Sequence, residues 1–229
     1  MAKCTAGPLA GVISGKIGTV VFSRGRYGNY IRNGAMPTAV TSSPALDVKG
    51  RLAKLSKAWA AVDENEQDAW KTWAATNPIT DRLGNSQVLH GAAAFMQLNY
   101  RILAAGGTQI DLPPIASSPD GVSGVSIASD ASTWEAFVEW TSGVLPANCC
   151  LASWVAVCDS TGRAYYKNLI KLVDISAAAQ ATHLNIGTEI IVRFGRPIAG
   201  QKLFLETEVW NKVTGLKSGR SIAKCTVVV

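Results

Sequence analysis

A chain of 229 residues that is 48% hydrophobic and only 17% charged is long enough to bury one large core or two modest ones, which excludes disorder throughout. No run approaches the ~20 apolar residues of a membrane helix, and Met1-Ala-Lys-Cys-Thr-Ala-Gly-Pro8 lacks the apolar core of a secretion signal, so no membrane contact and a cytoplasmic site of synthesis are expected. The net charge of +6 is unevenly placed: residues 1–46 carry Lys3, Lys16, Arg24, Arg26 and Arg32 with no acid, residues 47–110 carry seven bases and six acids, and residues 111–229 carry ten of each.

The first stretch of regular sequence is Gly15 to Arg32. Two β-prone runs, Ile17 to Ser23 and Asn29 to Arg32, flank Arg24-Gly-Arg-Tyr-Gly28, whose glycines can supply the positive φ of a tight reversal. The reading is a β-hairpin. A hairpin of two strands is marginal alone in water and must lean on the rest of the chain or on another molecule. Residues 33–46 contain two prolines and four hydroxyl residues and read as an extended connector, which closes a first segment, 1–46. A basic arm of this kind favours an acidic neighbour. Five charges over 46 residues are sparse beside the Lys/Arg clusters of a committed nucleic-acid binder, so DNA or RNA contact is expected to be weak.

From Asp47 the periodicity changes. Val48, Leu52, Leu55, Trp59 and Val62 fall at steps of four, three, four and three, the seam of an amphipathic helix whose outer face carries Lys49, Arg51, Lys54 and Lys57. Asp63 and Glu66 have the spacing of a capping box, so a second helix starts there; it carries Trp70 and Trp73 and stops at Asn77-Pro78. After the loop Asp81 to Gln87, a third helix over about Gly91 to Ala105 presents Phe95, Leu98 and Ile102 and ends at Gly106-Gly107. Residues 47–110 thus read as a small helical domain, its tryptophans packed inward.

Past the linker Asp111 to Pro119, residues 111–229 read as a β-sandwich of immunoglobulin or fibronectin type. Seven β-prone segments, Gly124 to Ser129, Thr133 to Trp140, Cys150 to Cys158, Ala164 to Lys171, Thr188 to Phe194, Lys202 to Asn211 and Ser221 to Val229, are separated by turn residues. Trp134, Ala136, Val138 and Trp140 share one face and Glu135, Phe137 and Glu139 the other; Leu203, Leu205, Thr207 and Val209 oppose Phe204, Glu206, Glu208 and Trp210. The last run, Ala223 to Val229, is either a paired strand or an edge offered to a neighbour. The fold class expected is α+β: a hairpin arm, about three helices and a sandwich.

Reaction chemistry is not evident in this order of residues. The five cysteines, Cys4, Cys149, Cys150, Cys158 and Cys225, form no C-x-x-C pair and read as small buried hydrophobes. His90 precedes the third helix and reads as a helix-start or surface residue, and His183 sits in a polar stretch. Gly11-Val-Ile-Ser-Gly15-Lys16 has three residues between its glycines and Ile17 after the lysine, so it is not a phosphate loop. Glu135 and Glu139 lie ~13 Å apart along a strand, too far for a glycosidase pair. No cofactor, metal or catalytic residue is expected, and the chain reads as a non-enzyme.

Gly7-Pro-Leu-Ala-Gly11, Ser14-Gly-Lys-Ile-Gly-Thr-Val-Val-Phe-Ser23, Tyr30-Ile-Arg32, Ala58-Trp59, Asp68-Ala-Trp70 and Asn77-Pro-Ile-Thr-Asp-Arg-Leu-Gly84 with Gly91 and Ala94-Phe95 together resemble uncharacterised proteins of tailed bacteriophages and prophages. The resemblance covers about the first 110 residues. It implies a structural protein of the virion, made in the host bacterial cytoplasm, and no catalytic residue. The expectation that follows is a capsid-associated protein, as decoration or minor capsid component, with a tail or neck position and a glycan-binding adhesion module (Trp134, Trp140, Trp154 or Trp210 as platform) as the alternatives. Lys16, Phe22, Arg24, Arg26, Tyr27, Tyr30 and Arg32 are the candidate attachment residues. The expected partners are the major capsid protein or neighbouring copies of the same chain in a homo-oligomer.

Overall fold

The computed structural model describes residues 2–3, 14–25, 28–34, 42–80 and 84–228. The chain mixes helices with antiparallel sheets and divides into two compact units, Met1–Gly50 with Asn77–Leu89, and Arg51–Thr76 with His90–Val229. The boundary expected at residue 110 falls within the second unit.

In the first unit, β1 (Ala2–Lys3), β2 (Gly15–Ile17), β3 (Val20–Gly25) and β4 (Gly28–Asn33) form one antiparallel sheet in the order β1-β4-β3-β2. The arm is therefore more than the single hairpin expected from the sequence. The run from Ile17 to Ser23 is interrupted where Gly18 takes φ 58°, so that Ile17 turns back to pair with Val20. A β-prone run hides such a turn, since Gly18 and Thr19 are its short marks. The reversal expected after Arg24 is present, with Gly25 paired to Gly28. The short pair β5 (Ile79–Thr80) and β6 (Ser86–Gln87) belongs to the same unit. Helix α1 (Ser43–Ala61) begins inside the stretch expected to be an extended connector. Pro44 sits in its first turn, where the missing N–H would have had no helical partner and the fixed φ suits the helix.

In the second unit, α2 (Glu64–Thr76) opens on the expected capping box: the Glu66 carboxylate accepts from the Asp63 N–H at 3.3 Å and the Asp63 carboxylate from the Asn65 N–H at 3.4 Å. Asp63→Ala is expected to lower stability by about 1 kcal/mol, read as a shift in the denaturant midpoint. Helix α3 (Gly91–Ala104) is capped by His90, whose Nδ1 accepts from the Ala92 N–H at 3.3 Å, the helix-start role expected of that residue. Trp70 and Phe95 are fully buried and meet edge to face at 5.5 Å, with Trp59 5.3 Å from Phe95 and Trp73 6.0 Å from Trp70.

The segment after α3 is pinned to the helices instead of linking freely. Trp70 Nε1 donates to the Asp111 carbonyl at 2.6 Å, Trp73 Nε1 to that of Pro114 at 3.1 Å, and the buried Asn99 amide both donates to and accepts from Ile110. Further on, Gly215 lies so close to α3 that a Cβ there would stand 2.4 Å from the Leu98 carbonyl oxygen, and its φ of 70° also favours glycine. Arg101 Nη1 donates to the Gly215 carbonyl at 3.0 Å. These contacts explain why helices and sandwich form one unit.

Seven strands build the sandwich: β7 (Ser126–Asp130), β8 (Glu135–Glu139), β9 (Cys149–Cys158), β10 (Lys171–Ile175), β11 (His183–Asn185), β12 (Lys202–Asn211) and β13 (Ser221–Thr226). They form two antiparallel sheets, β11-β8-β7 and β10-β9-β12-β13. Ile127, Ala136 and Val138 of the first sheet pack against Leu151, Val155, Leu203, Leu205 and Val209 of the second. Two expected strands are corrected. Residues 164–170 form a loop with one turn, in which Leu169 N–H donates to the Tyr166 carbonyl, and the strand starts only at Lys171. Thr188 to Phe194 falls in helix α4 (Gly187–Phe194), preceded by the short β11. Ile186 and Ile190, four apart, are both fully buried, whereas Val192, which a strand would place beside Ile190, is exposed. Asn185 Oδ1 accepts from the Gly187 N–H at 2.9 Å and sets the helix entry. The closing run both pairs and crosses over: β13 pairs with β12, then Val228 exchanges backbone hydrogen bonds with Ser129 and Ala131 at the edge of the other sheet. Among the described residues no helix is long and apolar enough to cross a membrane.

Candidate interaction surfaces

Register assigns the attachment candidates to two faces of the arm sheet. Lys16 opposes Val21, Val21 opposes Arg32, and Tyr30 lies two residues from Arg32, so Lys16, Tyr30 and Arg32 share one face. Phe22 and Arg24 are on the other face, with Val20 and Ile31. Arg26 and Tyr27 lie outside the described residues. No residue from Gly15 to Arg24 or from Gly28 to Asn33 is buried, and Ile17 is 70% exposed. The strands β2, β3 and β4 thus hold Lys16, Arg32 and Tyr30 on one side and a half-buried apolar strip with Arg24 on the other. Such a surface is suited to pack on a second macromolecule.

A second group of charges is brought together on the outer face of the four-stranded sheet. Glu206 and Glu208 were expected on the face opposite a core, but both faces of β12 are covered, and these side chains are 0% and 2% exposed. Arg220 bridges them, Nη1 to Glu206 at 2.5 Å and Nε to Glu208 at 2.7 Å. Lys167 and the Tyr166 hydroxyl also bind Glu206, while Lys217 Nζ and Trp210 Nε1 bind Glu208 at 2.7 and 3.0 Å. Burial by itself would raise both carboxyls; the hydrogen bonds from Lys167, Tyr166 and Arg220 on Glu206, and from Arg220, Lys217 and Trp210 on Glu208, outweigh it and hold both below the usual glutamate range. Aromatic rings wall the cluster: Tyr166 stacks on Phe204 at 4.2 Å, and Arg220 lies 5.0 Å over Trp154, which meets Trp210 edge-on. A sequence signal existed, since Phe204 and Trp210 flank the two acids on one strand face and imply a covered surface. Their partners, 39 and 40 positions upstream or 9 to 14 downstream, had no spacing to announce them.

The tryptophans proposed as a sugar platform do not lie together on one open surface. Trp140 and Trp210 are buried, Trp154 is half-buried under Arg220, and Trp134 is 38% exposed with the Arg196 guanidinium 4.9 Å over its ring. His183 is exposed on β11 and opposes Glu139. Among the described residues no three His, Cys, Asp or Glu side chains come together as metal ligands. Asp174, just after a bulge in β10, has its carboxyl raised by burial and further by Glu189 of α4. A raised carboxyl weakens the folded state once ionised and ceases to do so when protonated. Asp174→Asn is therefore expected to stabilise the chain at neutral pH by less than about 1 kcal/mol, with the gain vanishing on acidification, in denaturant titrations at the two pH values.

No protein-family model matches the sequence, and no curated protein is similar to it. Among solved structures the chain is similar to an Fn3-like protein from Clostridium thermocellum, at 17% identity and a TM-score of 0.27, over 47% of this chain and 93% of that one.

Proposed function

We propose that the chain is a non-enzymatic structural protein of a bacteriophage particle, capsid-associated as a decoration or minor capsid component, held by its N-terminal sheet and displaying its sandwich. The observation that carries this reading is the arm sheet, four strands in which no residue of β2, β3 or β4 is buried. Among the described residues its strands leave both faces at least partly open, and such faces are suited to pack on something else. Its charge names the kind of surface: the arm carries no acid as far as residue 46, so an acidic face of the major capsid protein or of a neighbouring copy suits it, with phosphate as the weaker partner. The likeness of the first 110 residues to phage and prophage proteins supplies the particle. The sandwich is read as fibronectin type III-like, because its fourth strand, β10, joins the sheet of the third, β9, and leaves β7, β8 and β11 as a sheet of three. The protein composition of purified particles tests the whole reading.

A further inference from the structure

The sandwich carries no net charge, ten bases against ten acids in residues 111–229, yet its charges are sorted by face. On the outer side of the three-stranded sheet, Glu135, Phe137 and Glu139 point away from the core residues Ala136 and Val138, and Asp130 opposes Glu135 across the strand pair. This face holds three carboxylates around a half-buried phenylalanine; Arg196, over Trp134, stands at its end. The outer side of the four-stranded sheet carries Lys167, Lys202, Lys217, Arg220 and Lys224 against Glu206 and Glu208, and both of those acids are buried beneath their cations. Its exposed strip along β13 is Ile222, 57% exposed, beside Lys224 and Thr226. Cations thus predominate on the exposed part of one face, and carboxylates on the opposite one.

We propose that these opposite faces join copies of the chain head to tail, the Glu135, Phe137 and Glu139 surface of one sandwich seated on the Arg220, Ile222 and Lys224 surface of the next. The occupant is a second copy because the two surfaces are opposite in sign and each has an apolar residue among its charges, Phe137 on one and Ile222 on the other, whereas a like-signed partner would be repelled by either. A contact between different faces is heterologous, so it propagates into a ring where the rotation closes and a filament where it does not. That deepens the structural-protein reading by naming self-assembly through the sandwich, independent of the arm.

The test is sedimentation of the purified full chain at low salt and at ~1 M salt, where the Debye length falls to about 3 Å. Wild type is expected to sediment as multimers at low salt and as monomer at high salt. Glu135→Thr with Glu139→Thr removes the acidic face, and Lys224→Glu with Thr226→Glu spoils the basic one; all four positions are exposed. Each double variant alone is expected to be monomeric, and an equimolar mixture to form a dimer that grows no further, because only one productive pair of faces remains. Circular dichroism and thermal unfolding confirm that both variants fold. A wild type that stays monomeric at low salt, a variant that still forms multimers, or a mixture that forms no dimer overturns the proposal. Those outcomes leave attachment of the arm to particles untouched, since that is read by incorporation.

Discussion

Deletion of residues 1–32 is expected to abolish incorporation of the chain into particles while the second unit still folds. The deleted segment holds the arm sheet as far as Arg32 and all five of its bases, so the net charge drops from +6 to +1, and it holds none of the sandwich core. The second unit keeps Trp70, Phe95 and the two-sheet core, and its far-ultraviolet circular dichroism and thermal transition are expected to persist in the truncated chain. The two arm faces separate the contributions. Lys16→Glu with Arg32→Glu reverses one face, and Phe22→Ser removes the largest apolar group of the other. Incorporation measured by quantitative blotting of purified particles is expected to fall at least tenfold for the face that meets the partner, which corresponds to about 1.4 kcal/mol of lost binding. Normal incorporation of the truncated chain would remove the arm from the account.

The second large effect is expected at Arg220. Its guanidinium bridges two carboxylates that are almost wholly out of water, and a planar fork with several donors is the side chain that can serve both at once. Arg220→Ala leaves Glu206 with Lys167 and Tyr166 and Glu208 with Lys217 and Trp210, one cation each in place of a shared network. Loss of one partner of a buried pair typically costs about 3–5 kcal/mol; because the side chain of Arg220 is 43% exposed and other cations remain, about 2–3 kcal/mol is expected here, read as a lowered denaturant midpoint. Arg220→Lys recovers part of that at most. The pH dependence has a definite sign. Glu206 and Glu208 are held below their ordinary values, so the stability they contribute is complete above the unfolded glutamate pKa of ~4.3 and is lost as pH falls through their lower folded values. In Arg220→Ala this acid-linked loss is expected to begin at higher pH than in wild type.

Much of the helical part was legible because its signals are local. The capping box at Asp63 and Glu66, the stop before Pro78 and the glycines after α3 are read within a few residues, and the structure places the helix ends there. The alternation in β8 and β12 was equally plain, since a strand that packs on a core repeats every second residue. Helix α4 was hidden because its β-branched residues Ile190, Ile191 and Val192 favour a strand intrinsically; burial of Ile186 and Ile190 four apart overrides that propensity. The short turn at Gly18 was masked by the apolar residues on either side. The Glu206, Glu208 and Arg220 network could not be read, because it joins strands and turns that meet only once the sheet has formed. The same holds for the sorting of sandwich charges by face. The net charge of residues 111–229 is zero in the sequence; alternation groups Glu135 with Glu139 and Glu206 with Glu208, but only register across strands reveals which residues of different strands share a side.

The most direct measurement is quantitative mass spectrometry of purified phage particles from cells that carry this gene. The chain is expected at a fixed stoichiometric ratio to the major capsid protein and is expected to stay with the particle through density-gradient purification. Its absence from purified particles, with the chain found only in the lysate, would contradict a structural role in the virion.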